Sequence, residues 1–139
     1  MRTRWSRLLL MGLLVALCTT AAAQHTLRVA YDADPDSLDP HEQLSGATLQ
    51  LSHLLFDPLL RWKQDRSFEP RVAERWERID PLTTRFHLRP GVKFHSGRPL
   101  TSQDVAWTFA RLQRSPDFKG LFAPFKPVRV IDDHTFELI

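Results

Sequence analysis

Apolar residues recur along this chain at the two spacings that identify strands and helices. Residues 27–31 alternate between the two faces of an extended chain, and residues 83–89 place Thr84, Phe86 and Leu88 on one face. Such alternation predicts half-buried strands. Shorter β-favouring runs predict further strands over residues 59–62, 75–78, 92–95, 128–131 and 135–138. The last two flank Asp132-Asp133-His134, which predicts an antiparallel hairpin with a polar turn.

Helical spacing appears in two longer stretches. Ala47, Leu51 and Leu54 predict a helix over residues 46–56, which the following Asp57-Pro58 pair would end because the residue before proline avoids the α region.

The second helix is predicted to begin at Thr101, with Asp104 completing a variant capping box. Its apolar face carries Val105, Phe109 and Leu112, and it should end before Pro116. A short helical turn is also predicted over residues 71–74, and Gly91 and Gly97 are expected to supply turn conformations.

The N-terminus has the order of charge and hydropathy typical of a secretory signal peptide. Three arginines without any acid precede the unbroken apolar run of residues 8–18, and small residues follow it. Cleavage is predicted between Ala23 and Gln24. Lipidation of Cys18 is not expected, because the residue before it is the bulky Leu17. The predicted location is therefore the periplasm, for a mature chain without cysteine.

Removal of this signal changes the charge balance. The chain has 19 basic and 16 acidic side chains, and three of the arginines lie in the signal, so residues 24–139 are neutral. A neutral chain gives no reason to expect a nucleic-acid partner. Its length suits one modest globular domain.

Five sequence blocks follow one another in a familiar order. They are SLDP with His41, LFDPLLRW (residues 55–62), EPRVAERWE (69–77), TRFHLRPGVKFHSGRPLTSQDVAWTFARL (84–112) and VIDDHTFEL (130–138). Together they resemble extracellular solute-binding protein family 5, which contains the periplasmic oligopeptide- and dipeptide-binding proteins of ABC importers.

The resemblance implies an α/β fold of the periplasmic-binding-protein type II-like, two-lobed kind, with a small extra domain beside the first lobe. Residues 24–46 would form the first segment of lobe I, and residues 47–139 most of the extra domain. Because family members are several times longer, we expect an N-terminal fragment that is incomplete at its C-terminus.

The resemblance also implies a function and a site. The protein would be a monomeric binding protein, not an enzyme, that captures a peptide or similar small solute and presents it to an ABC permease at the inner membrane. In the family, the segment after the LDP motif approaches the ligand, often through backbone groups. Leu44, Ser45 and Gly46 are therefore the candidate ligand-binding residues, with His41 beside them. Leucine at position 44 could offer only its backbone.

Other chemistry has little support in the residues. The six histidines are scattered without tight ligand spacing, so neither a metal site nor a cofactor is predicted. Catalytic signatures such as G-x-S-x-G and H-E-x-x-H do not occur, and Asp132-Asp133 suits turn chemistry better than acid–base catalysis. Two alternatives remain open: a periplasmic sensor or accessory protein on the same fold, and a secreted hydrolase with catalytic residues elsewhere.

Overall fold

The structure is a computed structural model that describes residues 28, 30, 34–35 and 37–139. Several predictions fall outside these residues: the signal peptide over residues 1–23, its cleavage between Ala23 and Gln24, Cys18, and most of the strand over residues 27–31. The unit described below lies within Tyr31–Ile139. Its described elements, in chain order, are α1 (Gly46–Leu55), β1 (Leu60–Trp62), β2 (Phe68–Pro70), β3 (Ala73–Arg78), β4 (Thr84–Leu88), α2 (Ser102–Leu112), α3 (Lys119–Phe122), β5 (Arg129–Asp132) and β6 (Thr135–Leu138).

The strands form two antiparallel sheets. Strands β1 and β2 pair as a two-stranded hairpin, while the larger sheet has the order β3-β4-β6-β5. The predicted hairpin of residues 128–131 and 135–138 is confirmed as β5 and β6, with Val130 opposite Phe136. Strand β6 also pairs with β4, so the C-terminal hairpin extends the sheet that β3 and β4 begin.

The core lies on one face of the larger sheet. Phe86 of β4 and Phe136 of β6 are direct cross-strand partners, and their rings stack with centroids 5.3 Å apart. Ala73, Leu88 and Val105 complete the buried cluster. Val105 comes from α2, so this helix covers the apolar face of the sheet, as the periodicity of its sequence predicts.

The opposite face of the sheet carries charge. Glu137 of β6 has no exposed surface, and its carboxylate lies between two arginines of neighbouring strands. Arg85 donates to Oε1 from Nε and Nη2 at 2.9 and 2.7 Å, and Arg129 donates to Oε2. The hydrogen bonds from Arg85 are the main cause that lowers the pKa of Glu137. A carboxylate so enclosed is ionised and hydrogen-bonded at both oxygens, as burial requires.

Both predicted helices begin close to where the sequence places them. The Ser45 hydroxyl accepts the Thr48 N–H at 3.3 Å and caps α1. At the start of α2, the Asp104 carboxylate accepts from the Thr101 N–H at 2.9 Å, and Arg98 holds the same carboxylate from outside the helix. Hydrogen bonds from Arg98 are the largest cause that lowers the pKa of Asp104.

Two local predictions are wrong. Residues 71–74 do not form a helical turn: the N–H groups of Arg71 and Ala73 donate to the Leu59 carbonyl, and β3 begins at Ala73. Residues 92–95 do not join a sheet as a strand: Lys93 makes only an isolated bridge with Pro99, and the chain turns back after Phe94, whose carbonyl accepts the Gly97 N–H at 2.8 Å. Gly91 and Gly97, on either side, have φ of 78° and 84°, which confirms their turn role.

Strand β2 and the one-turn helix α3 were missed by the sequence analysis. The hairpin that joins β1 to β2 turns at Arg66, a non-glycine residue with φ of 66°, so it has no glycine signal. The predicted domain boundary between residues 46 and 47 stays a prediction. In the structure, the residues just before it contact the end of α2, as described below.

The core makes a prediction with a matched control. Leu88 is 2% exposed within the buried cluster, whereas Leu82 is 79% exposed in the turn before β4. Leu88→Ala should lower the free energy of unfolding by about 2–5 kcal/mol, because it leaves a cavity between sheet and helix. Leu82→Ala should change it by less than about 0.5 kcal/mol. Urea denaturation of both variants measures the difference, and equal losses would contradict this description of the core.

Candidate functional site

Residues 37–42, in the segment that leads into α1, are held in shape by their own side chains. The Asp39 carboxylate accepts the His41 N–H at 2.9 Å, while the Asp39 N–H donates to the Ser37 hydroxyl at 3.0 Å. Ser37 in turn donates to Glu42 at 3.0 Å. These are the Asx- and serine-turn contacts that aspartate and serine favour in loops. The local sequence therefore explains the turn but not its place in the fold.

Arg111, in the last turn of α2, fixes that place. Its guanidinium makes a two-pronged contact with Asp39, in which Nη1 donates to Oδ1 at 3.0 Å and Nη2 to Oδ2. Nη1 also lies 3.1 Å from Nδ1 of His41. The Arg111 guanidinium lies 5.7 Å from the ring centroid of Trp107, one turn earlier on the helix. Two-pronged arginine–carboxylate contacts fix orientation as well as distance.

The turn after α2 adds two contacts to the same segment. The buried Ser115 donates its hydroxyl to the His41 carbonyl at 2.5 Å. The Asp117 carboxylate accepts the Leu44 N–H at 3.2 Å. We call the contacts of Arg111, Ser115 and Asp117 with residues 39–44 the tether. They join positions 70 to 74 residues apart, so they are tertiary contacts and not local turn chemistry.

The tether determines the charge states of the segment. Hydrogen bonds from Arg111 are the first cause that lowers the pKa of Asp39, and the His41 N–H adds to the effect. Burial of the imidazole, followed by the nearby Arg111 charge, lowers the pKa of His41, and the attraction of Asp39 only partly offsets them. Asp39 is therefore charged and His41 neutral near pH 7.

Comparison with known families assigns the chain. The family model described as bacterial extracellular solute-binding proteins, family 5 Middle, matches residues 67–139, which is more than half of the sequence. The chain belongs to this family. The resemblance to family 5 that the five sequence blocks carry is thereby confirmed. The β2–β6 region and α2, which supplies Arg111, all lie within the matched residues.

Named relatives of this family 5 chain include a regulator and a peptide-binding protein. The HTH-type transcriptional regulator SgrR of Yersinia enterocolitica is 34% identical over 113 residues, which cover 80% of this chain and 20% of SgrR. Di/tripeptide-binding protein 4 of Pseudomonas aeruginosa is 38% identical over 111 residues, which cover 73% of this chain and 21% of that protein. The chain thus spans about a fifth of the length of these curated relatives.

A solved structure confirms the predicted fold class. The murein tripeptide-binding protein MppA of Escherichia coli matches with a TM-score of 0.66 at 23% identity, over 75% of this chain and 24% of that one. The mixed α/β fold of this chain is therefore shared with part of that tripeptide-binding protein. Across the described part of the chain, no helix combines the length and apolar character needed to cross a membrane.

The structure places the four predicted site residues along one continuous segment of this family 5 chain. His41 is half-buried and held by Arg111 and Ser115, whereas Leu44 is 45% exposed. Ser45 caps α1 with its hydroxyl, and Gly46 is the first residue of that helix. A Cβ added at Gly46 would meet no atom within 4 Å, so this side of the segment is open. Their role in ligand binding stays a prediction.

The backbone N–H and the side chain of Leu44 differ in their availability to a ligand. The Leu44 N–H is already engaged by Asp117, while the side chain of Leu44 faces solvent.

Arg111, Ser115 and Asp117 were not found by sequence reasoning, since a lone arginine on a helix and a Ser-Pro-Asp turn have many ordinary roles. No sequence motif links them to residues 39–44 across more than 60 intervening positions.

Other polar groups of the described residues form no second site of this kind. No group of three or more His, Cys, Asp or Glu residues in the described part could hold a metal ion. His87 pairs with Glu77 at 3.2 Å, and Asp132 accepts the His134 N–H at 2.8 Å, as a turn residue should. A shallow cavity of about 290 Å³ lies elsewhere, between Arg71 and Arg89.

The N-cap contact of Ser45 gives a test of how α1 is held. Ser45→Ala should lower the free energy of unfolding by about 1 kcal/mol, because the Thr48 N–H loses its acceptor. Ser45→Asp supplies a carboxylate at the same position and should retain most of the stability. Chemical denaturation of the two variants checks the expectation, and identical losses would show that the cap does not matter.

The ion pair between Asp39 and Arg111 gives a prediction for acid titration. NMR titration should give an Asp39 midpoint below the ordinary 3.8, which rises in Arg111→Gln because the main hydrogen-bond donor is lost. Asp80, whose pKa is lowered mainly by the Leu82 N–H, is the internal control and should not move. The unfolded chain binds this proton at a higher pH. The stability from the pair is therefore complete above about pH 3.8 and is lost as pH falls through the folded midpoint.

Proposed function

We propose that the chain is part of the substrate-binding component of an ABC importer. It captures peptides or similar small solutes in the periplasm and delivers them to a permease at the inner membrane. The observation that carries this proposal is the family 5 match over residues 67–139, a family of extracellular solute-binding proteins. The relative named di/tripeptide-binding protein 4 supports short peptides as the ligand class. The export-signal pattern of residues 1–23 supports the location.

Residues 41–46 suit one wall of such a site. The segment is fixed at one end by Arg111 and at the other by the capped start of α1, so little conformational freedom remains to be lost on binding. Its exposed side offers the open surface at Gly46 and the side chain of Leu44. Backbone groups there would contact a peptide main chain without selecting side chains, and Leu44 would add apolar contact. The protein acts as a monomer, and no covalent step is required.

The proposal is tested by ligand-dependent stabilisation. The full-length gene product is heated with dialanine, trialanine, longer peptides, opines, nickel chelates and haem, and its unfolding is followed by fluorescence. A ligand present at 100 times its Kd stabilises the folded state by about 2.7 kcal/mol. We expect short peptides to raise the midpoint of unfolding, and free alanine at equal concentration to leave it unchanged. If no solute raised the midpoint, the binding function would be refuted.

A sensor is the second candidate, because several relatives carry the name of a transcriptional regulator. The same binding segment would then report a solute instead of delivering it. Deletion of the gene separates the two functions. An importer component predicts lost uptake of the peptide identified by stabilisation, whereas a sensor predicts normal uptake and an altered transcriptional response. Permease and ATPase genes beside this gene would favour import.

A further inference from the structure

The hydrogen bond between Arg111 and His41 has a direction that fixes the state of the imidazole. A guanidinium can only donate, so Nδ1 of His41, 3.1 Å from Nη1, must present its lone pair. His41 is then neutral, with its proton on Nε2. Protonation would place a hydrogen on Nδ1 and remove the acceptor. It would also bring two cations within hydrogen-bond distance of each other.

The other charged groups around His41 do not cancel this repulsion. Arg111 faces the imidazole from α2. Asp39 faces it from the same segment as His41, but its carboxylate is already engaged in the two-pronged contact with the Arg111 guanidinium. Glu42 interacts with Arg111, and Asp117 accepts the Leu44 N–H from the turn after α2. Burial and the Arg111 charge together outweigh the attraction of Asp39. Protonation of His41 therefore opposes the tether.

The remaining tether contacts transmit this change to the candidate ligand residues. The His41 carbonyl is held by Ser115, and three positions later the Leu44 N–H is held by Asp117. A displacement of His41 away from Arg111 acts on both contacts, because they bind the same short segment. Ser45 and Gly46 follow immediately as the cap and first residue of α1.

We propose that Arg111 is a positioning residue for segment 39–46 and that His41 makes this positioning sensitive to pH. The segment is held in place while the imidazole of His41 is neutral, and it is released when the imidazole is protonated. The consequence for peptide affinity rests on the proposed function, whereas the release of the segment does not. Solute would then be bound more weakly in acid than at neutral pH.

The experiment measures the segment and the peptide separately in the full-length gene product. Hydrogen exchange at the Leu44 amide, corrected for its intrinsic pH dependence, reports the tether. Calorimetry with trialanine reports affinity. Both are measured from about pH 7.5 to about pH 5, the range in which histidine titrates. In the wild type we expect exchange to become about tenfold faster in acid, the effect of losing a charge-assisted hydrogen bond, and affinity to fall by a similar factor.

Variants separate the roles of the two residues. His41→Gln keeps a neutral acceptor that cannot titrate, so the exchange rate of the Leu44 amide should become independent of pH. The ratio of trialanine affinities between about pH 7.5 and about pH 5 should then approach one, whatever the absolute affinity of the variant. Arg111→Gln should show fast exchange and weak binding at every pH. Arg111→Lys keeps the charge without the fork and should be intermediate. Arg114→Gln is the matched control, because Arg114 is exposed and makes no side-chain hydrogen bond or ion pair with the described residues.

The outcomes distinguish this inference from the proposed function. If trialanine binds but wild type and His41→Gln have the same pH profiles, the inference is wrong and the function stands. If exchange depends on His41 but no peptide binds, the function fails and the link to peptide affinity is overturned with it. Should Arg111→Gln not fold, Arg111→Lys and Asp39→Asn remove the fork by milder changes. Wild-type exchange at Leu44 in both would refute the role of Arg111.

Discussion

The stacked pair of Phe86 and Phe136 is the contact on which the rest of the described unit depends. It joins β4 to β6 at the centre of the larger sheet, across 50 positions of sequence. The apolar face that it creates is the surface against which Val105 of α2 packs. Because α2 is placed by this packing, Arg111 in its last turn is carried to the segment before α1. The site is thus positioned by the core and not by its own sequence.

The two faces of the larger sheet are stabilised by different interactions, and both fix the register of its strands. On the core face, aromatic burial is non-directional and tolerates small displacements of the rings. On the other face, Glu137 must lie directly between Arg85 and Arg129, because an enclosed carboxylate needs hydrogen-bond donors and opposite charge beside it. A shift of one residue would expose the apolar set and bury unpaired charges together. Register is therefore fixed more firmly than either face alone would fix it.

Sequence reasoning was reliable where local chemistry decides structure. The capped start of α2 at Thr101, the turns at Gly91 and Gly97 and the hairpin of β5 and β6 all follow from short-range signals, and each is present. It failed at residues 71–74, where the N–H groups of Arg71 and Ala73 donate to the Leu59 carbonyl and the chain stays extended. Such tertiary partners leave no trace in periodicity. For the same reason, the contacts of Arg111, Ser115 and Asp117 with residues 39–44 could not be predicted from the sequence.

The tether also shows why a half-buried ion pair is suited to a binding segment. An Arg–Asp contact at this level of exposure adds little net stability, because solvent screens it and both side chains lose freedom. The two-pronged contact with Arg111, however, fixes the orientation of the Asp39 carboxylate. Because that carboxylate also accepts the His41 N–H, the contact fixes the backbone orientation of His41 as well. An apolar contact of equal strength would hold the segment near α2 without fixing its rotation. For a segment whose backbone is to meet a ligand, orientation is the quantity that matters, and the charged contact supplies it.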